Sequence, residues 1–438
     1  MVMSIKVYHI AAHLGSGVGK AIAGLAKACH GIEEVHKILL LEPTEKQNYI
    51  EMCKQAGIDV IVVRGEKWKN LVRDADILVV SWWQHPLMPK FLCELSDTPC
   101  RILLWCHVNG CVYPYLPSKL TEIVDGILLT SLYSLENPCW TQSTRELVRK
   151  KSRLVRGMGD FDPTKVIAKT DYEIKDIFTV GYMGTLNYAK LHPDFLFYCK
   201  AVSDRFINVR FLLVGDYNPE LEEEAKKYGL TGKLQFTGFV DNVYDYLQQM
   251  DVFGYLLSPN NYATTENALL EAMAVGLPVV VYNNKPEQYI VESEKDGFFV
   301  ESQEEYVKVI GQLYESEALR RYIGENARKN TILKYNQQYN KKNFQYCEKR
   351  VLQREKSCKS FNKVFGENSW EWFLSCTGED RNLFERSLEE DSEVIHNFLK
   401  NCNPIYKEQT KSSVFHFEKY YPEDSKIVQL AREIRTWK

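Results

Sequence analysis

Twice along the chain, short β-branched and aliphatic runs alternate with stretches of helical character, which restricts the fold to parallel βαβ units. The first series runs through residues 5–12, 20–29, 37–41, 60–63, 77–81 and 102–105. The second occupies residues 178–183, 209–214, 234–237, 252–257 and 278–282. Between them, residues 156–175 mix Gly157, Gly159, Pro163 and charged side chains without a period, which reads as a linker. The expected organisation is an N-terminal Rossmann-like domain over residues 1–165, a second over 176–352, and a C-terminal extension over 353–438. That extension carries Trp370, Trp372, Phe373, Phe384, Phe398, Tyr406, Phe415 and Phe417, enough aromatic surface to dock it. Its segment from Thr410 to Phe417 combines β-branched, hydroxyl and aromatic residues, a pattern suited to lining a cleft or pairing at a sheet edge.

Composition removes several classes of function. With 438 residues, 45% hydrophobic and 26% charged, the chain reads as an ordinary soluble protein of two domains plus an extension. A formal net charge of -3 offers nucleic-acid phosphates no global attraction, so no nucleic-acid partner is expected. The opening apolar stretch, residues 7–12, is too short for a signal-peptide core, and no uncharged run reaches spanning length. The twelve cysteines lack paired CxxC spacing, so they read as reduced thiols in a cytoplasmic protein.

The most informative stretch is Asn267-Ala268-Leu269-Leu270-Glu271-Ala272-Met273-Ala274-Val275-Gly276-Leu277-Pro278. It reads as a short helix of small and apolar residues, stopped by Gly276, with Pro278 opening a buried strand. Thr264 or Thr265 is placed to cap the helix start, which would aim backbone N–H groups at an anion, and Glu271 is placed to accept hydrogen bonds from a ribose diol. The plain structural alternative is a capped core helix with a solvated glutamate.

This segment resembles the donor-binding motif of retaining glycosyltransferases of the GT-B fold, the group 1 (family 4) type. That group includes sucrose and glycogen synthases and bacterial mannosyltransferases. The resemblance covers most of residues 5–350 and implies two Rossmann-like domains with parallel sheets facing a central cleft. It implies that Glu271 binds the ribose, while the family's other glutamate, which contacts the donor sugar, falls on Ala263; Glu266 and Asn267 mark a subtype of the motif. In the stretch Gly181-Tyr182-Met183-Gly184-Thr185-Leu186, Thr185 takes the position of the family's phosphate-binding arginine, and Lys190 that of its lysine. The resemblance extends to Gly215 at the end of a strand beside the nucleotide and to Phe239 and Val240 in a loop that grips the base. In the first domain, Gly15, Gly17 and Gly19 resemble the glycine-rich loop facing the donor phosphate, and His107 the histidine near the donor sugar.

The implied activity is transfer of a sugar from a UDP- or GDP-linked donor to a glycan, glycolipid or protein acceptor, with retention of configuration. The donor is a substrate, and no cofactor is implied. Three alternatives stand beside it: an inverting transferase with His13 as base, a nucleotide-sugar epimerase, and a non-catalytic partner subunit. No metal is expected, because the Asp-x-Asp triplets at residues 74–76 and 160–162 lie where this two-domain fold uses none. The basic cluster Arg145, Arg149, Lys150 and Lys151 reads as a solvated helix face, or more sharply as peripheral docking at the inner face of an anionic membrane.

Overall fold

The computed structural model describes residues 4–45, 47–63, 68–174, 176–262, 264–388, 397, 406 and 411–436; Ala263, Phe398 and Thr410, named above, lie outside them. The chain divides into two units, one made of residues 1–161, 262–265 and 337–438, the other of residues 162–261 and 266–336.

The first unit is built on strands β1 (Ile5–Ala11), β2 (Glu34–Leu40), β3 (Asp59–Val62), β4 (Ile77–Trp82), β5 (Ile102–Cys106), β6 (Gly126–Leu129) and β7 (Ser152–Leu154). They pair in parallel in the order β3-β2-β1-β4-β5-β6-β7. Because successive side chains of a strand point to opposite faces, a continuous apolar run feeds two cores. Tyr8, Ile10, Leu78, Val80 and Leu104 enter one, and Val7, Ala11, Val79, Leu103 and Trp105 the other.

The extension is part of this unit. Phe361, Phe365, Trp370, Phe373, Phe384 and Phe417 pack with Trp82, Met88 and Phe91 in the first of these cores. Burial of each such side chain contributes about 2 kcal/mol to docking the segment. The preceding helix, Gln337–Leu352, places Phe344, Cys347 and Val351 in the second core. Asn340 ties it to the backbone of Arg156 by two hydrogen bonds. The division therefore falls after residue 336, where the sequence expectation set it after 352. Of the segment expected to line a cleft or pair at a sheet edge, residues 414–417 are helical, which rules out the sheet-edge pairing for them: Ser413 accepts the N–H of His416 and caps the helix Val414–Tyr420. A hydroxyl residue before an apolar run is a helix-start signal that outweighs β-propensity here.

The second unit holds β8 (Phe178–Met183), β9 (Val209–Val214), β10 (Leu234–Phe236), β11 (Val252–Tyr255), β12 (Val279–Tyr282) and β13 (Phe298–Val300). Their order is β10-β9-β8-β11-β12-β13, again parallel. Between β11 and β12 runs the helix Asn267–Val275, ended by Gly276 at φ +95, where a residue without a β-carbon is favoured.

Candidate functional site

In an open parallel sheet, ligands bind past the carboxyl ends of the strands where the order reverses. In the second unit this point lies between β8 and β11. Lys190 lies on the loop after β8 and Glu266 on the loop after β11, and the two meet: Nζ is 3.5 Å from Oε2. The backbone of Lys190 is fixed by a bond from its N–H to Asn187 and by its carbonyl, which accepts from Ser258 at 2.8 Å. Gly184, at φ +147, leaves room for the ammonium, which lies 3.6 Å from the position a β-carbon there would take.

Glu266 is wholly buried, whereas the Lys190 side chain keeps 22% of its surface exposed. The carboxylate accepts from the Tyr255 hydroxyl at 2.6 Å and from Asn261 Nδ2 at 3.2 Å. The ring of Tyr255, 5.5 Å from Nζ, adds a cation–π contact. Glu287, after β12, is a residue the sequence reading missed. It is fully buried, with neither carboxyl oxygen hydrogen-bonded among the described residues. Burial and then the charge of Glu266 push its carboxyl well above the usual range, which favours its neutral form. The sequence signal was an acid directly after a proline, a few residues beyond an apolar strand.

The helix start differs from expectation. Glu266 itself, at φ 47 and ψ 60, is the residue before the helix, and no side chain caps it. Thr265 instead accepts the N–H of Gly157 through Oγ1 at 3.0 Å, a contact within the first unit. Asn267 and Ala268 form the first turn, half-buried, and Glu271 is buried one turn on. Thr185 is exposed, and its carbonyl accepts from the Tyr182 hydroxyl. Gly215 is required by close approach, since a β-carbon would lie 2.1 Å from the carbonyl oxygen of Gly184. An antiparallel bridge joins Gly215 to Gly238, and beyond it Phe239 is exposed and Val240 half-buried.

In the first unit, Gly15 precedes the helix Ser16–Cys29, so Gly17 and Gly19 lie in its first turn rather than in a free loop. Gly15 donates its N–H to His13 Nδ1 at 2.9 Å, and Gly19 donates to the carbonyl of Gly15. The anion-facing donors are therefore the N–H groups of residues 16–18. His13 accepts at Nδ1, which puts the proton of its neutral ring on Nε2 and leaves no free lone pair for base chemistry. His107 packs on Trp105 at 4.6 Å, and burial lowers its pKa to about 3.

The basic cluster divides. Lys151 is buried and donates to the carbonyls of Glu122 and Val124, with burial lowering its pKa to about 8. It is neither solvated nor free to dock, and Arg145 donates to the carbonyl of Asn137. Arg149 and Lys150 remain exposed. Among the described residues no helix is long and apolar enough to cross a membrane. Asp74 is engaged by Lys6 and Tyr8, and Asp162 by Thr164. Two other groups of side chains lie close enough to share an ion, His13 with Glu42 and His85, and Cys29 with Glu34 and His36.

Two parallel-sheet Rossmann-like units define the GT-B class of fold. Residues 168–330 match the family described as glycosyl transferases group 1, and the chain carries the domain of that family. It is 24% identical to the capsular polysaccharide biosynthesis glycosyltransferase CapM of Staphylococcus aureus, over 51% of this chain and 61% of that protein. It is 28% identical to the putative glycosyltransferase EpsF of Bacillus subtilis, over 26% of this chain and 29% of the relative. The chain thus spans less than two thirds of the length of these curated relatives. Among solved structures, HepE of Anabaena in complex with UDP-glucose superposes with a TM-score of 0.62 at 14% identity, covering 80% of this chain and 100% of that one. Sucrose-phosphate synthase of Thermosynechococcus elongatus gives 0.59 at 16% identity, over 80% and 99%.

Proposed function

We propose that this chain transfers a glycosyl group from a nucleoside-diphosphate sugar, with the second unit holding the donor and the first the acceptor. The observation that carries this reading is the Lys190 ammonium, held by the buried Glu266 at the switch point of the second sheet and still partly exposed. A departing diphosphate gains negative charge as the bond from sugar C1 to its phosphate oxygen breaks. Lys190 and the N–H groups at the start of the helix Asn267–Val275 stabilise that charge. Glu271 holds the ribose hydroxyls. Glu266, engaged on every side, positions Lys190, and the upward shift of the Glu287 carboxyl disfavours a second negative charge in the same site.

The acceptor oxygen forms the new bond to C1, and its proton passes to an oxygen of the leaving diphosphate. This route yields retention and needs neither a protein nucleophile nor a metal ion. The occupied Nδ1 of His13 speaks against the inverting alternative. HepE is described in complex with UDP-glucose, so UDP-glucose is the first donor to try. Arg149 and Lys150 are the residues left for peripheral contact with an anionic membrane on the cytoplasmic side. Incubating the purified chain with UDP- and GDP-sugars and measuring nucleoside-diphosphate release tests the reading. Release that Lys190→Ala abolishes supports it, and no release from any donor contradicts it.

A further inference from the structure

The first sheet has its own reversal of strand order, between β1 and β4. Just past the ends of the three neighbouring strands β1, β2 and β4 lie His13, Glu42 and His85. The helix Val414–Tyr420 of the extension adds two more side chains. The Tyr420 hydroxyl donates to Glu42 Oε2 at 2.6 Å, and the His416 ring stands 4.9 Å from that of His85. His85 Nε2 lies 3.3 Å from Glu42 Oε1, yet off the line of a hydrogen bond, and His13 Nε2 lies 4.0 Å from the same oxygen. The His85 side chain is 1% exposed, so a polar atom without a proper partner among the described residues is buried and aimed into the cluster. The Trp83 ring packs edge-on against both His13 and His85, and its buried N–H also has no partner among the described residues.

A shared metal ion is the obvious occupant of two histidines and a glutamate, but the protons are on the wrong nitrogens. His13, His85 and His416 each accept a backbone N–H at Nδ1, from Gly15, Leu87 and Ser412 respectively. A metal-bound imidazole shows the reverse, an Nδ1–H donated outward and a bare Nε2. Burial keeps all three rings neutral, His13 at about 4 and His416 at about 3, with His85 also lowered. Against its burial, the adjacent His85 ring and the bond from Tyr420 lower the Glu42 carboxyl to about 2, so it is ionised. The cluster therefore offers N–H donors beside one carboxylate acceptor. A hydroxyl group, which accepts and donates at once, matches that pairing, whereas a cation matches only the carboxylate.

We propose that His13, His85 and Glu42, completed by Tyr420 and His416 of the extension, bind a hydroxyl of a neutral carbohydrate, and that the extension thereby selects the acceptor. Naming the ligand as acceptor rests on the glycosyl-transfer reading; the hydroxyl site itself does not. Saturation-transfer NMR on the full chain tests it, using the methyl glycosides of glucose, galactose, mannose, N-acetylglucosamine and rhamnose, with UDP as a separate probe. At least one glycoside should receive saturation from the wild type. Its signal should fall at least fivefold in Tyr420→Phe and in Glu42→Gln, while the UDP signal and melting temperature stay near wild type. Tyr420→Phe keeps the packed ring and so protects the test against a folding defect. Absence of any glycoside signal, or a signal undiminished in both variants, overturns the proposal. So does one-to-one micromolar zinc binding that Glu42→Gln abolishes. Loss of UDP binding by the wild type would instead count against the donor reading, leaving the glycoside result to decide this site.

Discussion

Replacing Lys190 by alanine separates a catalytic cation from a structural counter-ion. At 3.5 Å the ammonium and the Glu266 carboxylate attract each other by about 5 kcal/mol at an effective dielectric constant of about 20, much of it offset by desolvation. Tyr255 and Asn261 still hydrogen-bond the carboxylate after the change, so the loss of stability should be about 1–3 kcal/mol. The loss of turnover should be larger, about 100- to 1,000-fold, because one preorganised contact to a developing oxyanion is removed. Thermal melting and nucleoside-diphosphate release measure the two effects on the same preparations. The double variant Lys190→Ala with Glu266→Gln removes the stranded charge, so it should recover most of the stability and none of the turnover. Recovery of turnover to within a few-fold of wild type would rule out the catalytic role and leave Lys190 as a counter-ion only.

Glu271→Gln should weaken UDP binding about 5- to 30-fold in calorimetry, by removing the charge that strengthens hydrogen bonds to ribose hydroxyls. In Gly215→Ala the new methyl would sit 2.1 Å from the carbonyl oxygen of Gly184, and neither backbone can retreat freely. A destabilisation of about 2 kcal/mol or more is expected, with weaker UDP binding, both visible in a melting curve with and without UDP. The pH profile follows from buried neutral histidines. His107 and His416 have folded pKa values of about 3, against about 6.5 unfolded, so the unfolded chain takes up protons first as pH falls. Their effect is absent above about pH 6.5 and grows as pH falls toward 3, so chemical denaturation should show stability declining across that window. His416→Gln should flatten the decline.

Both parallel sheets were legible because apolar runs at βαβ spacing have few other solutions, and Gly276 marked the helix stop because a left-handed position needs glycine. Lys190 and Glu266 were named separately, but their pairing was not readable, since 75 intervening residues of helix, strand and loop separate them in sequence. Glu287 escaped because an acid after a strand looks solvated until its burial is known. The threonine cap was misread: local spacing allowed it, and Thr265 took a distant partner in Gly157 instead. The same limit hid the cluster of Glu42, His85 and Tyr420, whose members lie on loops after different strands and on a helix more than 300 residues away.

Retaining transfer is read directly from the anomeric proton of the product, followed by NMR during reaction of the wild type with UDP-glucose and an acceptor that saturates it. A new glycosidic signal of the donor's α-configuration should form in step with UDP and be absent with Lys190→Ala. A β-configured product would contradict retention. UDP-glucose left intact, or converted to another nucleotide sugar without an acceptor, would contradict glycosyl transfer from this donor.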